Sequence, residues 1–156
     1  HWVDGGFEVT QAVPQTEGGS FAVCLRDEMN LSVDEVLKSL DDQSITLVDA
    51  RGAERYRGEQ EPIDPVAGHI PGALNRPLTD NLENGLFKSA EQLQAEWQQL
   101  LGTTEPQRVV HYCGSGVTAC HNQLAMAVAG ITGTRIYAGS WSEWIREPAR
   151  PIATIS

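Results

Sequence analysis

The sequence is poor in cysteine and in positive charge, and each shortage argues against a class of protein. Its three cysteines form no CxxC pair, which is typical of free thiols in a reducing compartment and not of a disulfide framework. Its 11 Lys and Arg face 21 Asp and Glu, which gives a formal net charge of −10. Nucleic-acid binding requires clustered positive charge. We therefore expect a cytoplasmic protein without a nucleic-acid partner, in which any anionic ligand is held at a local positive site.

Long hydrophobic runs are also missing. No stretch approaches the roughly 18 apolar residues that a membrane helix requires, and the opening HWVDGGFEVT has neither the basic segment nor the apolar core of a secretory signal. We expect no membrane contact. The 156 residues, 40% hydrophobic and 21% charged, fit one globular domain with a short tail. Turn-rich and polar sequence predicts that residues 1–20 are a tail or linker and that residues 21–156 form the domain.

Several helices are predicted within this domain. Capping boxes at Ser32 and Ser89 indicate the starts of two amphipathic helices. An Ala-rich helix is predicted over residues 118–129, with Gly130 as its left-handed cap. A last helix is predicted to begin with a cap formed by Ser140 and Glu143 and to end at Pro148.

Short apolar runs between these helices predict strands. They lie at residues 45–48, 73–75, 109–112 and 135–137, and residues 52–79 otherwise read as a long surface loop because they are rich in Gly and Pro. Strands that alternate with helices favour an α/β fold, with a central parallel sheet and helices on both faces.

The segment VVHYCGSGVTACHNQLAMAVAG places Cys113 at the end of a buried strand and directly before a helix. Ligands bind at that edge of open α/β sheets. Two glycines allow successive N–H groups of the loop to point at one centre, and the helix N-terminus adds partial positive charge. A buried structural cysteine is the alternative, but the hydroxyls of Ser115 and Thr118 would suit a core poorly. Cys113 is therefore predicted to be a thiolate nucleophile.

Two other uses of this cysteine fit the sequence poorly. A cysteine phosphatase requires an arginine six residues after the cysteine to bind the oxyanion, and that residue is Ala119. A zinc site would combine Cys113 with His111, Cys120 and His121, whereas structural zinc usually takes ligands paired at C-x2-C spacing. We expect no metal site.

Five segments, in family order, resemble the rhodanese superfamily and in particular its tandem-domain thiosulfate and 3-mercaptopyruvate sulfurtransferases. They are LVDAR (47–51), RYRG (55–58), GHIPGALN (68–75), CGSGVTACH (113–121) and YAGSWSEW (137–144). CGSGVT is similar to the active loop of the mercaptopyruvate enzymes, whereas thiosulfate enzymes typically have bulkier basic residues after the cysteine. VDGGFEV (3–9) resembles the end of a preceding rhodanese domain. The resemblance implies that the chain is the C-terminal, catalytic half of a two-domain protein.

The resemblance also implies a mechanism. The Cys113 thiolate takes a sulfur atom from a small anionic donor, mercaptopyruvate or thiosulfate, in two half-reactions. A thiol, a thioredoxin-like protein or cyanide then removes it, and no cofactor is required. Arg55 aligns with a family arginine that contacts the donor's carboxylate. The alternative is a non-catalytic or regulatory binding module, which usually lacks the cysteine. The persulfide is expected to be held by the backbone amides of Gly114, Ser115, Gly116, Val117 and Thr118.

The chain departs from the family pattern at two positions. Ile63 stands near the place of a second carboxylate-binding arginine, for which Arg51 and Arg57 are candidate replacements, although Arg51 is predicted to be structural together with Asp49. Ala138 stands where an aspartate is common. The histidine and aspartate that work with the loop serine in mercaptopyruvate enzymes come from the N-terminal domain and are not assigned here. Structural positions are predicted for His69 in a turn, His111 in a strand, and Cys120 and His121 on a helix.

Overall fold

The computed structural model describes residues 1–155 and has alternating strands and helices. Three short 3-10 turns, Asp27–Met29, Leu78–Asn81 and Pro106–Arg108, lie between them. In chain order the elements are α1 (Val33–Asp42), β1 (Thr46–Asp49), α2 (Ala53–Arg57), β2 (Leu74–Asn75), β3 (Leu82–Glu83), β4 (Leu86–Phe87), α3 (Ala90–Leu101), β5 (Val109–Tyr112), α4 (Val117–Val128), β6 (Arg135–Ile136) and α5 (Ser140–Trp144).

A parallel sheet with the strand order β2-β1-β5-β6 forms the centre of the domain. β1 and β5 pair along their full length, so that Asp49 lies beside Tyr112 at the carboxyl edge. All four residues of β5 are buried, as expected for a central strand covered on both faces. This edge of the sheet is where the loop after β5 emerges.

Helices cover both faces of this sheet, as the sequence predicts. Side chains alternate along a strand, so neighbouring residues enter opposite layers. Leu47 and Tyr112 pack in one layer with residues of α1 and α5, including Val36, Trp141 and Trp144. The other layer joins Val48 and Val109 to residues of α3 and α4, including Leu93, Trp97 and Met126.

Both predicted capping boxes are confirmed. The Ser32 and Ser89 hydroxyls each accept a hydrogen bond from the backbone N–H three residues on, and the side chains of Glu35 and Gln92 accept from the capping N–H groups. Gly130 follows α4 with a φ of 77°, in the left-handed conformation predicted for it.

The prediction for the last helix is wrong in two respects. α5 is preceded by Gly139 and ends at Trp144, before Pro148 is reached. Ser140 does not cap it, because its buried hydroxyl donates to the Tyr137 carbonyl. Its φ of 56° lies in a region that residues other than glycine rarely occupy.

The region predicted as one long loop, residues 52–79, also contains regular structure. α2 lies within it, between Gly52 and Gly58, and its five residues are too few to show the apolar period of a longer helix. The hairpin of β3 and β4 follows further along and was also not predicted. Two-residue strands give no periodic signal in sequence.

Residues 1–26 contain no helix or strand and are exposed. Trp2 and Phe7 contact each other within a turn, with ring centroids 4.6 Å apart. The first element is the turn at Asp27–Met29, and the domain boundary near residue 20 stays a prediction. Within the described part of the chain, no helix is long and apolar enough to cross a membrane.

Candidate active site

Cys113 lies at the carboxyl end of β5, and three residues separate it from α4. Gly116 makes the tight turn possible. Its φ is 83°, and a Cβ built on it would lie only 2.6 Å from the carbonyl oxygen of Ala138. A residue with a side chain would therefore meet both backbone strain and a clash at this position.

The side chain of Cys113 is enclosed, and its backbone is fixed by the segment that begins α5. The residue is 2% exposed and packs with Ala50 and Ala119. Its N–H donates to the Ser140 hydroxyl at 3.1 Å, and its carbonyl accepts from the Trp141 N–H at 3.0 Å. The nucleophile predicted from sequence thus occupies a backbone position held from two sides.

The loop after Cys113 offers a row of free hydrogen-bond donors. Among residues 1–155, no hydrogen bond uses the N–H group of Gly114, Ser115 or Gly116. The first N–H groups of α4, including those of Val117 and Thr118, have no acceptor within the helix. Backbone donors at a helix N-terminus favour anions. The loop is therefore chemically suited to hold a negative sulfur or a bound anion.

Arg55 on α2 lies directly against this loop. A Cβ built on Gly114 would be 3.7 Å from both Nη1 and Nη2 of Arg55. The guanidinium is already paired: Nε and Nη2 donate to the Glu61 carboxylate, with a shortest distance of 2.6 Å, and Nη2 also donates to Asp64 at 3.1 Å. Nη1 has no acceptor among the described residues. Nη1 is therefore the nitrogen of Arg55 that is free to donate a hydrogen bond to a bound ligand.

Glu61 stays ionised beside Arg55. Burial alone would raise the pKa of this carboxyl, but hydrogen bonds from Arg55 and from the N–H groups of Asp64 and Ile63 outweigh burial and hold the pKa below its ordinary value. Asp64 is fixed from the other side by the Ser142 hydroxyl, which donates to it at 2.8 Å. The Ser142 N–H in turn donates to the Gly114 carbonyl at 2.9 Å. The acidic groups and the cysteine loop thus share one hydrogen-bonded framework.

Arg51 and Arg57, the candidate replacements for a second carboxylate-binding arginine, are both paired with acidic side chains. The Arg51 side chain is 1% exposed and pairs with Asp49 at 2.7 Å, with further bonds to Glu61 and the Gly68 carbonyl. Arg57 pairs with the exposed Glu59. Ile63 is 75% exposed and contributes only its N–H, to Glu61. Of these three arginines, Arg55 is the one that lies against the loop at Gly114.

Two of the histidines lie in structural surroundings, as the sequence predicts. His69 is buried, stacks on Tyr56 and has its Nδ1 2.7 Å from the Tyr56 carbonyl oxygen. His111 is fully buried, and its ring meets that of Trp97 edge to face. Neither shows a hydrogen bond to the cysteine loop among the described residues.

The remaining candidates lie on α4. The Cys120 thiol donates to the Gly116 carbonyl at 3.4 Å. The His121 ring lies 4.8 Å from that of Phe87, measured between centroids. Within residues 1–155, no group of three His, Cys, Asp or Glu side chains could hold a metal ion.

Sequence reasoning missed four residues that shape this site. Glu61 and Asp64 give no signal of their own, because acidic residues in a loop usually mark a solvated surface. Ser140 has the sequence pattern of a helix cap, and Ser142 belongs to no motif that indicates a site. The available signal was the spacing of the two acids, which begins six residues after Arg55 in a loop rich in Pro. It predicts contact only once the fold of residues 55–64 is known.

Comparison with known proteins places this arrangement in a family. The model of the rhodanese-like domain matches residues 32–147. A probable 3-mercaptopyruvate sulfurtransferase of Pseudomonas aeruginosa is 44% identical over 154 residues, covering 98% of this chain and 54% of that protein. The thiosulfate sulfurtransferase of Rattus norvegicus is 36% identical over 151 residues, covering 94% of this chain and 50% of that protein.

A solved structure has the same fold. It is an anaerobic ergothioneine biosynthesis enzyme from Chlorobium limicola, bound to trimethyl histidine, and matches with a TM-score of 0.86 at 24% identity over 99% of this chain and 39% of that one. At this identity the likeness supports the fold alone.

The sheet, its covering helices and the cysteine loop at its carboxyl edge define a parallel α/β domain, a class in which ligands bind at that edge. Within that class, the match over residues 32–147 and the identity to the sulfurtransferases show that the chain belongs to the family of rhodanese-like domains. The chain spans about half the length of the two sulfurtransferases named above.

Proposed function

We propose that this chain is the catalytic domain of a sulfurtransferase and that Cys113 is its sulfur carrier. The observation that carries the proposal is the position of Cys113 at the start of a loop whose N–H groups, from Gly114 to Gly116, have no acceptor among the described residues. Such a loop stabilises a thiolate before the reaction and a persulfide anion after it. The names of the similar proteins support the same activity.

The proposed reaction has two half-reactions. The Cys113 thiolate attacks the transferable sulfur of the donor, which is the thiol sulfur of mercaptopyruvate or the outer sulfur of thiosulfate, and a new S–S bond forms. The bond that held this sulfur breaks, and its electron pair leaves with pyruvate enolate or with sulfite. A thiol, a thioredoxin-like protein or cyanide then attacks the outer sulfur of the persulfide and restores the thiolate.

We propose that Arg55 binds the donor through Nη1, with 3-mercaptopyruvate as the preferred donor. The position of Nη1 against Gly114 supports this, since the donor must reach the same loop. Gly114, Ser115, Gly116, Val117 and Thr118 then supply the backbone amides that surround the transferred sulfur.

The cellular setting is part of the same proposal. A cytoplasmic, reducing location suits a cysteine that must return to a free thiol after each turnover. In the mercaptopyruvate enzymes a histidine and an aspartate work with the loop serine that corresponds to Ser115. A preceding rhodanese domain would supply these two residues here, and residues 1–20 would connect the two domains. The coverage of about half of each similar protein supports this arrangement.

The experiment that tests the function measures sulfur transfer to cyanide from mercaptopyruvate and from thiosulfate. The unmodified chain and Cys120→Ser are expected to transfer sulfur from at least one donor, while Cys113→Ser is expected to transfer none above the uncatalysed rate. Cys120 is the matched control because it is a thiol on the adjoining helix. All variants are assayed with the preceding domain proposed above attached, so equal rates for the unmodified protein and Cys113→Ser would leave the non-catalytic binding module as the better account.

A further inference from the structure

Asp64 is a charged group beside the cysteine loop to which the proposed mechanism gives no part. Its Oδ1 accepts from the Ser142 hydroxyl at 2.8 Å, and its Oδ2 accepts from Arg55 at 3.1 Å. Oδ2 would lie only 3.9 Å from a Cβ built on Gly114. With a side chain 9% exposed, Asp64 is fixed in place at the first residue of the loop.

The ion cluster that contains Asp64 has an excess of negative charge. Its carboxylates belong to Asp49, Glu61 and Asp64, and its guanidinium groups to Arg51 and Arg55. Arg51 is occupied at the buried end by Asp49. Arg55 is shared by the other two acids, so its positive charge is already balanced before a ligand arrives.

An anion that reaches the loop at Gly114 therefore meets three groups close together: the backbone N–H groups, Nη1 of Arg55 and the Asp64 carboxylate. Repulsion from Asp64 grows in proportion to the charge of the ligand. Thiosulfate has two negative charges at neutral pH, whereas mercaptopyruvate has one carboxylate and a largely neutral thiol. Arg51 and Arg57 are paired with Asp49 and Glu59, so neither of these arginines is available to the second charge, and Ile63 is an exposed apolar residue.

We infer that Asp64 is a specificity-determining residue, which selects singly charged sulfur donors over doubly charged ones at the Arg55 and Gly114 side of the loop. This inference rests on the proposed sulfurtransferase function and specifies its substrate class: small thiol acids with one carboxylate. Asp64 acts on ligand charge and takes no part in bond making.

The first test compares donors. Asp64→Asn removes the charge and keeps the size, and we expect it to raise the ratio of kcat/KM for thiosulfate to kcat/KM for mercaptopyruvate about three- to tenfold, the effect of one charge acting through a partly hydrated site. Asp64→Glu keeps the charge and should leave the ratio near that of the unmodified chain. The rise should shrink at high salt, which a purely structural effect would not show. An unchanged or lowered ratio would overturn the inference.

A matched control carries the same change of charge elsewhere. Asp41 is exposed in the last turn of α1, close to the amino-terminal start of β1 and so at the opposite edge of the sheet. Asp41→Asn should leave the donor ratio unchanged. A rise equal to that of Asp64→Asn would mean that total charge, and not Asp64, decides the ratio.

A second arm does not depend on sulfur transfer. Alkylation of Cys113 by iodoacetate, which has one negative charge, is compared with alkylation by neutral iodoacetamide, and the modified Cys113 peptide is quantified by mass spectrometry. Asp64→Asn should raise the iodoacetate-to-iodoacetamide rate ratio by about three- to tenfold. If the unmodified chain uses neither donor, the proposed function fails, while this rate ratio still decides whether Asp64 filters anions: a raised ratio supports that and an unchanged one refutes it.

Discussion

At the scale of single residues, Arg55 has two separate sets of interactions. It pairs with Glu61 and Asp64, and it presents Nη1 toward the space beside Gly114. The two uses have different chemical consequences. Loss of the side chain removes one ion-pair partner from each of two largely buried carboxylates, although Glu61 keeps Arg51 and Asp64 keeps the Ser142 hydroxyl. This loss lowers stability, and it also removes the group proposed to bind the donor.

Substitution of Arg55 separates donor binding from activation of the thiolate. Arg55→Ala is expected to lower kcat/KM for mercaptopyruvate about 10- to 150-fold, the rate equivalent of a charge-assisted hydrogen bond of about 1.5–3 kcal/mol. Arg55→Lys should recover only part, because it lacks the planar fork. Alkylation of Cys113 by iodoacetamide should change little, since that reagent has no carboxylate.

Arg57 provides the control for this experiment. It lies in the same helix and also pairs with a glutamate, Glu59, but at an exposed position. Arg57→Ala should therefore leave both reactions nearly unchanged. If Arg55→Ala slows alkylation as much as sulfur transfer, Arg55 supports the loop and does not bind the donor.

At the scale of elements, the site depends on how closely the cysteine loop approaches the segment before α5. The Ser140 hydroxyl receives the Cys113 N–H, and the Ala138 carbonyl lies where a side chain of residue 116 would be. Ser140 adopts a positive φ, a conformation that costs roughly 1–2 kcal/mol for a residue with a Cβ. The hydrogen bonds of its hydroxyl offset that cost and fix the nucleophile.

Gly116→Ala tests this close approach. We expect it to lower the free energy of unfolding by about 2–4 kcal/mol, from backbone strain and overpacking together, and to abolish most sulfur transfer. Gly130→Ala is the matched control, because Gly130 has a similar φ of 77° but no atom within 4 Å of its added Cβ. It should lose only the strain part, about 1–2 kcal/mol, and keep its activity. Equal losses in both variants, measured by urea unfolding, would contradict the proposed contact.

Sequence patterns predicted most of these elements and the cysteine loop because local chemistry determines them. Capping boxes, the buried run VVHY and the Gly-rich turn each report on a few consecutive residues. These local patterns predict Cys113 and the loop residues, whereas Arg55 is predicted only through the resemblance to the family. The short helix α2 and the hairpin of β3 and β4 were not, because elements of two to five residues have no period to detect.

The parts of the site that escaped prediction depend on contacts distant in sequence. Asp64 meets Ser142, which is 78 residues away, and Cys113 meets Ser140, which is 27 residues away. No local sequence pattern around Ser142 or Ser140 predicts these contacts. The interpretation of Ser140 as a helix cap was wrong because a serine three residues before a glutamate has the sequence of a capping box, whereas tertiary packing placed the hydroxyl toward the loop.

At the scale of the whole molecule, burial of a histidine couples stability to pH. His111 is fully buried, and neither ring nitrogen has a hydrogen-bond partner among the described residues. Burial lowers the pKa of His111 from its ordinary value of about 6.5 to about 3. Between these two pKa values, His111 is therefore protonated in the unfolded chain and neutral in the folded chain. The contribution of neutral His111 to the free energy of unfolding is fully present above about pH 6.5 and is lost as the pH falls toward 3.

His111→Phe removes this titrating group and keeps an aromatic ring against Trp97. We expect the free energy of unfolding of the unmodified chain to fall more steeply with decreasing pH than that of the variant, by up to about 1.4 kcal/mol per pH unit between pH 6 and pH 4. The other ionisable groups are shared by both proteins, so the difference in slope isolates His111. Urea unfolding at several pH values measures it. Parallel curves would show that His111 titrates normally in the folded protein.

The central claim is that a single thiol, Cys113, carries the sulfur. The most direct measurement is intact and peptide mass spectrometry after incubation with mercaptopyruvate or thiosulfate and desalting, with the unmodified chain, Cys113→Ser and Cys120→Ser treated alike. We expect one added sulfur atom on the peptide that contains Cys113, which cyanide or dithiothreitol removes, and the same addition in Cys120→Ser. Addition of that mass to Cys113→Ser together with its absence from Cys120→Ser would contradict the account.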